Sequence, residues 1–90
     1  MDNTGAHPGL ILKHDFLEHY GISQVELSEH LGISFQRVNE IVNGRRGITP
    51  DTAKLLAQAF KTSPDLWMIL QAAYDLKAHE EPVKKIKAMI

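Results

Sequence analysis

Residues 21–47, GISQVELSEHLGISFQRVNEIVNGRRG, constrain the fold of this chain more than any other stretch. Ser23 and Glu26 have the spacing of a capping box at the start of one helix, and Gly32 lies where that helix ends. Ser34 then caps a second helix, whose apolar residues recur at helical spacing and leave polar side chains on the other face. The pattern predicts two short helices joined by a tight turn, with the polar face of the second helix exposed.

This polar face carries the residue types that best recognise base edges in the major groove of DNA. Gln and Asn suit adenine and Arg suits guanine, because each can form two hydrogen bonds to one base. A helix that exposes them, braced by another across a turn of three or four residues, is typical of a helix-turn-helix. The alternative is a pair of ordinary surface helices in an all-α domain. The candidate base-contacting residues are Phe35, Gln36, Arg37 and Asn39.

Two residues on this helix have alternative roles. Phe35 either touches a thymine methyl group or packs over the turn. Glu40 either accepts a hydrogen bond from cytosine N4 or holds Arg37, three positions earlier, and we favour the structural role. Polar residues near the helix ends are better placed for DNA phosphates than for bases. The candidate phosphate-contacting residues are Gln24, Ser34, Asn43, Arg45 and Arg46.

Helix-start signals divide the chain into five helices. A proline in the first turn opens the first helix, and Thr49-Pro50-Asp51 and Ser63-Pro64-Asp65 each combine a cap, a proline and an acid. No segment alternates convincingly with period two, so we expect an all-α fold without a strand of consequence. The aromatic residues fall on apolar stripes, which favours core or dimer packing over base stacking. The expected helices cover residues 8–19, 24–31 and 35–43, followed by two that begin at Pro50 and Pro64, with Phe60, Trp67 and Tyr74 on the stripes.

Residues 78–90 differ in character from residues 1–77, which form the expected DNA-binding domain. The segment VKKIKAMI sets Val83, Ile86 and Met89 against three lysines, the pattern of a short amphipathic helix. Such a helix cannot bury its own apolar face. The segment is either a frayed tail or a helix that packs against a partner subunit or a partner protein.

The composition limits the classes of function. The chain has no cysteine, which excludes disulfides and thiolate metal sites, and its five histidines lack the spacing of a zinc site. No phosphate-binding loop or nucleophile elbow indicates an enzyme. The first residues do not resemble a signal peptide, and no apolar run approaches the roughly 18 residues of a membrane span. We therefore expect a cytoplasmic protein without metal, cofactor or membrane association.

The net charge of −1 is low for a protein that binds nucleic acid, because phosphate neutralisation supplies most non-specific affinity. Three of the four cations of the first 47 residues nevertheless cluster, with Arg37, Arg45 and Arg46 at the second helix of the motif and the turn after it. We expect weak DNA binding by a monomer and a need for two copies on a two-fold site.

The motif resembles the lambda-repressor and Cro (XRE) type of helix-turn-helix. The resemblance rests on Ser23-Gln24, Gly32-Ile33-Ser34 and Asn43-Gly44. Three further stretches resemble the HigA family of toxin–antitoxin antidotes. They are His7-Pro8-Gly9, RVNEIVNGRRGITPDTA (residues 37–53) and TSPDLW…LQAAYDL (residues 62–76), so the resemblance covers residues 7–76.

This resemblance implies a five-helix, lambda-repressor-like DNA-binding domain that forms a homodimer on a palindromic operator. It further implies repression of its own operon and binding of a growth-inhibiting toxin, usually an mRNA endonuclease of the RelE/HigB sort. Leu10, Met68 and Ile69 depart from the family pattern, and we expect them to enlarge a contact surface. The alternatives are a transcriptional regulator of this fold without a toxin and a protein-interaction module.

Overall fold

The computed structural model describes residues 5–79 and 83–90, and within these ranges it has five helices and no strand. The first helix, α1, starts as an α-helix and continues without a break as a π-helix. The all-α prediction with five helices is confirmed. The bounds are Pro8–Ile11 and Leu12–Glu18 for the two parts of α1, Gln24–Leu31 for α2, Phe35–Val42 for α3, Pro50–Phe60 for α4 and Pro64–Ala78 for α5.

The π-helical part of α1 was not predicted. Leu12 and Leu17 are five positions apart and both are buried. A π-helix has more residues per turn than an α-helix, so it brings residues at this spacing closer to one face. The wider turn therefore directs both leucines into the core.

Every helix begins at a side chain that accepts a hydrogen bond from a backbone N–H near the helix start. These caps satisfy donors that would otherwise lack a partner within the helix. The predicted capping box is present, since Ser23 Oγ accepts from Glu26 N and Glu26 Oε1 accepts from Ser23 N. The capping residues are His7, Ser23, Ser34, Thr49 and Ser63.

The core is formed by buried residues from all five helices. Trp67 is fully buried, and its indole Nε1 donates to Thr62 Oγ1 over 2.8 Å. The ring centroid of Phe16 lies 5.3 Å from that of Trp67 and 4.9 Å from that of Phe60. Core packing of Trp67 and Phe60 is therefore confirmed.

The HPG sequence at the start of α1 brings this helix unusually close to α3. A side chain at Gly9 would overlap the backbone carbonyl of Ile41. The preceding His7 caps the helix, because its Nδ1 accepts from Gly9 N over 2.9 Å, and its ring meets that of Tyr74 edge-on at 4.8 Å. His7, Gly9 and Tyr74 thus form a junction of α1, α3 and α5, which we call the N-terminal junction.

Of the two alternatives for residues 78–90, a frayed tail or a short helix, the helix is not present in the described residues 83–90. Residues 83–90 have no regular secondary structure, and all eight are exposed. A helix this short is marginal in water unless an apolar surface covers one face. The predicted limits, 1–77 and 78–90, include residues 1–4 and 80–82, which lie outside the described residues, and α5 itself extends to Ala78.

The three residues expected to enlarge a contact surface lie in different places. Leu10 and Ile69 are exposed. Met68 is partly buried against the core, so it adds little to a surface, in contrast to the prediction. None of the helices in the described ranges has the length and apolar character that crossing a bilayer requires.

Candidate nucleic-acid interface

The packing of α3 determines which of its residues face outward. Val38, Ile41 and Val42 are almost completely buried, and α3 contacts both α2 and α1. Because these three residues occupy one side of the helix, the opposite side faces solvent. The turn between α2 and α3 passes through Gly32, whose φ of 73° suits glycine. The predicted two-helix arrangement is therefore present, with α3 as its exposed second helix.

Phe35 and Gln36 lie in the first turn of α3 and point away from the core. Phe35 is 49% exposed, a large fraction for a phenylalanine. Gln36 is also exposed, and its amide has no hydrogen-bond partner among the described residues. Ser34 Oγ, just before them, accepts from Arg37 N over 3.1 Å and so serves as the helix cap. The first turn of α3 thus presents an apolar and a polar side chain that are both free to contact a ligand.

A hydrogen bond joins one candidate base-contacting residue to one candidate phosphate-contacting residue. Asn39 Nδ2 donates to Gln24 Oε1 over 3.0 Å, which links the middle of α3 to the first residue of α2. Each amide keeps donor and acceptor capacity beyond this bond. The bond therefore orients both side chains along the surface shared by α2 and α3.

Arg37 does not extend freely from α3. Its Nη2 donates to the buried Thr52 Oγ1 of α4 over 2.7 Å, and its Nε is buried without a hydrogen-bond partner in the described part of the chain. Local sequence pattern does not indicate this contact, because Thr52 is 15 positions away and lies on another helix. In this conformation the guanidinium is turned towards α4.

The predicted contact between Glu40 and Arg37 is wrong, although Glu40 does hold an arginine. Glu40 Oε2 accepts from Arg46 Nε over 3.1 Å and from Arg46 Nη2 over 3.0 Å. The chain reverses after α3, and Arg45 N donates to the Glu40 backbone carbonyl over 2.8 Å. This reversal brings Arg46 back along the helix, while Arg37 is turned towards Thr52.

Further bonds fix the two ends of the loop that follows α3. At one end, Asn43 Nδ2 donates to the backbone carbonyl of Asn39 over 2.9 Å, and Gly44 has a φ of 75°. At the other end, Gln71 of α5 accepts from Ile48 N over 2.7 Å. Sequence reasoning missed Gln71, since a lone glutamine on an apolar helix has no local signal for a loop contact. Between these ends Arg45 is exposed.

The His7 side chain lies beside Gly44 of this loop, and its surroundings shift its pKa. Burial lowers the pKa of His7 below its ordinary value of 6.5, and the nearby carboxylate of Asp75 opposes the shift. Its Nδ1 must be unprotonated to accept the hydrogen bond from Gly9 N. His7 therefore acts as the helix-start residue that the sequence predicted, in its neutral form.

The nine candidate DNA-contacting residues thus fall into two groups. Phe35, Gln36 and Arg45 are exposed, and their side chains form no hydrogen bond within residues 5–79 and 83–90, whereas the other six take part in hydrogen bonds with other residues. Across the described ranges no three His, Cys, Asp or Glu side chains are grouped so that they could hold a metal ion.

Known proteins share this arrangement. Residues 14–67 match the family described as helix-turn-helix. Virulence-associated protein I of Dichelobacter nodosus is 42% identical over 84 residues, which are 93% of this chain and 78% of that protein. Antitoxin HigA-1 of Vibrio cholerae is 33% identical over 96 residues, with coverage of 99% of this chain and 90% of that protein.

A solved structure extends the similarity to the whole fold. It is that of the Pseudomonas aeruginosa antitoxin HigA with the higBA promoter, which is 35% identical. Its TM-score is 0.86, and the match covers 96% of this chain and 99% of that chain. The family is one of DNA-binding helix-turn-helix antitoxins and regulators rather than of enzymes. The chain belongs to the HigA family of XRE-type helix-turn-helix antitoxins.

Proposed function

We propose that this chain is a sequence-specific DNA-binding antitoxin that represses its own operon and neutralises a cognate toxin. The observation that carries the DNA-binding part is the exposed first turn of α3, where Phe35 and Gln36 lie opposite the buried side of the helix. A helix of this kind enters the major groove with its N-terminal residues at the base edges. The solved structure of a relative with the higBA promoter supports DNA binding by this fold.

The base contacts are divided according to how freely each side chain moves. Gln36 contacts an adenine and Phe35 a thymine methyl group, since neither must first break a bond within the chain. Asn39 contacts a base while it remains hydrogen-bonded to Gln24. Gln24, at the start of α2, contacts a phosphate. Arg37 contributes a guanine contact only where that contact replaces its bond to Thr52.

The phosphate contacts surround this base-reading surface. Arg45 is exposed and contacts a phosphate directly, whereas Arg46 does so while it is held by Glu40. Ser34 and Asn43 lie at the two ends of α3, where the sugar-phosphate backbone borders the groove. These contacts position the protein and do not read the base edges.

The functional unit is a homodimer on a palindrome whose half-sites are about 34–36 Å apart. A net charge of −1 leaves one copy with little non-specific affinity, so two copies must contribute. The outer side of α5 offers an apolar surface for a second copy, with Ile69 65% exposed and Leu76 78% exposed. Replacing both with serine would give a monomer in sedimentation analysis and abolish tight operator binding.

Family membership supports the proposal of a toxin partner, and growth assays test it. The small reading frame adjacent to this gene is expressed alone and together with this chain. Growth arrest that co-expression relieves would support the antitoxin role. The absence of arrest, with operator binding intact, would favour a transcriptional regulator without a toxin. The absence of salt-dependent DNA binding would favour a protein-interaction module.

A further inference from the structure

We propose that Glu40 is a positioning residue for DNA recognition: its carboxylate holds Arg46 so that the free edge of the guanidinium meets one phosphate of the operator. This inference rests on the proposed DNA-binding function and adds to it a role for Glu40, whose negative charge is the same as that of the DNA phosphates. An acid on the helix that enters the groove would otherwise weaken binding.

The geometry of the pair leaves Arg46 able to bind a second anion. An arginine side chain has five N–H donors in a fixed plane. Glu40 Oε2 takes one from Nε, at 3.1 Å, and one from Nη2, at 3.0 Å. The two hydrogens on Nη1 and the second on Nη2 remain for a phosphate oxygen. The Glu40 side chain is 25% exposed and that of Arg46 is 47% exposed, so the arginine is the outer member of the pair.

Glu40 also fixes the backbone that carries Arg46. Its carbonyl oxygen accepts from Arg45 N over 2.8 Å, one residue before Arg46. Gln71 fixes the far end of the same loop through Ile48 N, at 2.7 Å. Because both the backbone and the side chain are held, Arg46 has fewer conformations to lose when it binds a phosphate.

Positioning and simple repulsion predict effects of opposite sign. If Glu40 only repels phosphates, its removal will strengthen binding to every DNA sequence, because one negative charge is lost and Arg46 is released. If Glu40 positions Arg46, its removal will weaken binding to the operator, where the phosphate register is fixed. Binding to random sequence, which tolerates many arginine conformations, will not weaken.

The fold does not depend on the pair, which makes this distinction measurable. A partly exposed ion pair contributes little to folding stability. Glu40→Ala and Arg46→Ala should therefore keep the thermal unfolding midpoint of the wild-type protein. Glu29→Ala is a matched control, because Glu29 is an exposed acid of α2 whose loss changes the net charge equally.

The experiment measures dissociation constants for Glu40→Ala, Arg46→Ala, the double variant and Glu29→Ala. Each constant is measured on two DNA duplexes. The selected duplex is the sequence that the wild-type protein enriches from a random pool, and the control duplex has the same length and a random sequence. We expect Glu40→Ala to weaken binding to the selected duplex by about 3- to 10-fold, a range typical of directly coupled residues. Arg46→Ala should have a similar effect, and the double variant should bind no more weakly than Arg46→Ala.

Two results would overturn the inference while leaving the proposed function intact. One is that Glu40→Ala binds both duplexes more tightly than the wild-type protein does, with the same gain in affinity as Glu29→Ala. The other is a double variant whose loss equals the sum of the two single losses in free energy. If the wild-type protein enriches no duplex, the proposed DNA-binding function fails first, and this inference fails with it.

Discussion

The N-terminal junction and the outer face of α3 lie on opposite sides of the same helix and are held by different forces. At the junction, α1 approaches α3 so closely that Gly9 leaves no space for a side chain beside the Ile41 carbonyl. On the outer face, side chains are exposed or joined by single polar bonds, such as that between Asn39 and Gln24. The junction therefore determines where α3 lies, and the polar bonds determine where its side chains point.

This difference predicts that changes at the junction affect folding, whereas changes on the outer face affect DNA binding. The largest effect is expected for Gly9→Ala. Its new methyl group overlaps backbone rather than a movable side chain, so α1 and α3 must separate. We expect a loss of about 3 kcal/mol in the free energy of unfolding, the upper part of the usual range for overpacking. Urea denaturation measures it.

Gly47→Ala is the matched control for this substitution. A Cβ at Gly47 would lie 3.2 Å from the side chain of Gln71, which can move. A much smaller loss is therefore expected. Equal losses for the two variants would show that the close approach of α1 and α3 is not what makes Gly9 necessary.

On the outer face, Gln36→Ala should have the largest effect on DNA binding. Loss of a two-bond contact to a base costs about 1–3 kcal/mol of binding free energy on the operator. Folding should be unchanged, because the Gln36 side chain is exposed. Fluorescence anisotropy and thermal unfolding measure the two quantities. A lowered unfolding midpoint would assign Gln36 a structural role instead.

Arg45→Ala should weaken binding to all sequences alike. Arg45 is exposed in a loop held at both ends, which suits a phosphate contact. Its loss should reduce the slope of log affinity against log salt concentration by about 1. Titrations at several salt concentrations on operator and random duplexes test this, and a loss confined to the operator would make Arg45 a base-contacting residue.

The smallest effect is a pH dependence of stability that comes from the junction. Burial lowers the pKa of His7 in the folded chain, so the unfolded chain binds its proton more readily. The stabilising contribution of His7 is present above pH 6.5 and is lost as the pH falls through the lowered folded pKa. The thermal unfolding midpoint should therefore drop on acidification.

His7→Asn separates this effect from those of the other titratable groups. The asparagine oxygen can accept the bond from Gly9 N without titrating. The thermal unfolding midpoint of this variant should fall less than that of the wild type as the pH is lowered from neutral to below 6.5. His30→Asn, at an exposed histidine, is the control. An unchanged dependence would exclude His7 as its source.

The same contrast explains which features the sequence predicted. Caps such as Ser23 and Ser34 act on backbone groups two or three residues away, so local order reveals them. The bonds of Arg37 to Thr52 and of Gln71 to Ile48 span 15 and 23 positions and depend on how helices pack. For this reason the helix caps were predicted from the sequence, whereas the distant bonding partners of Arg37 and of Ile48 were not.

The π-helical part of α1 and the conformation of residues 83–90 also could not be predicted from local sequence pattern. The apolar spacing of α1 fits either an α-helix or a π-helix, and packing decides between them. The amphipathic pattern of residues 83–90 forms no helix in the isolated chain, because no surface covers its apolar side.

Base recognition by the first turn of α3 is tested by a scan that exchanges the base pairs of the operator one at a time. Wild-type protein and Gln36→Ala are titrated with the selected operator and with duplexes in which each base pair is exchanged in turn. We expect the variant to lose discrimination between base pairs at one position in each half-site and to keep it elsewhere. An unchanged preference at every position, with affinity lowered uniformly, would contradict the claim.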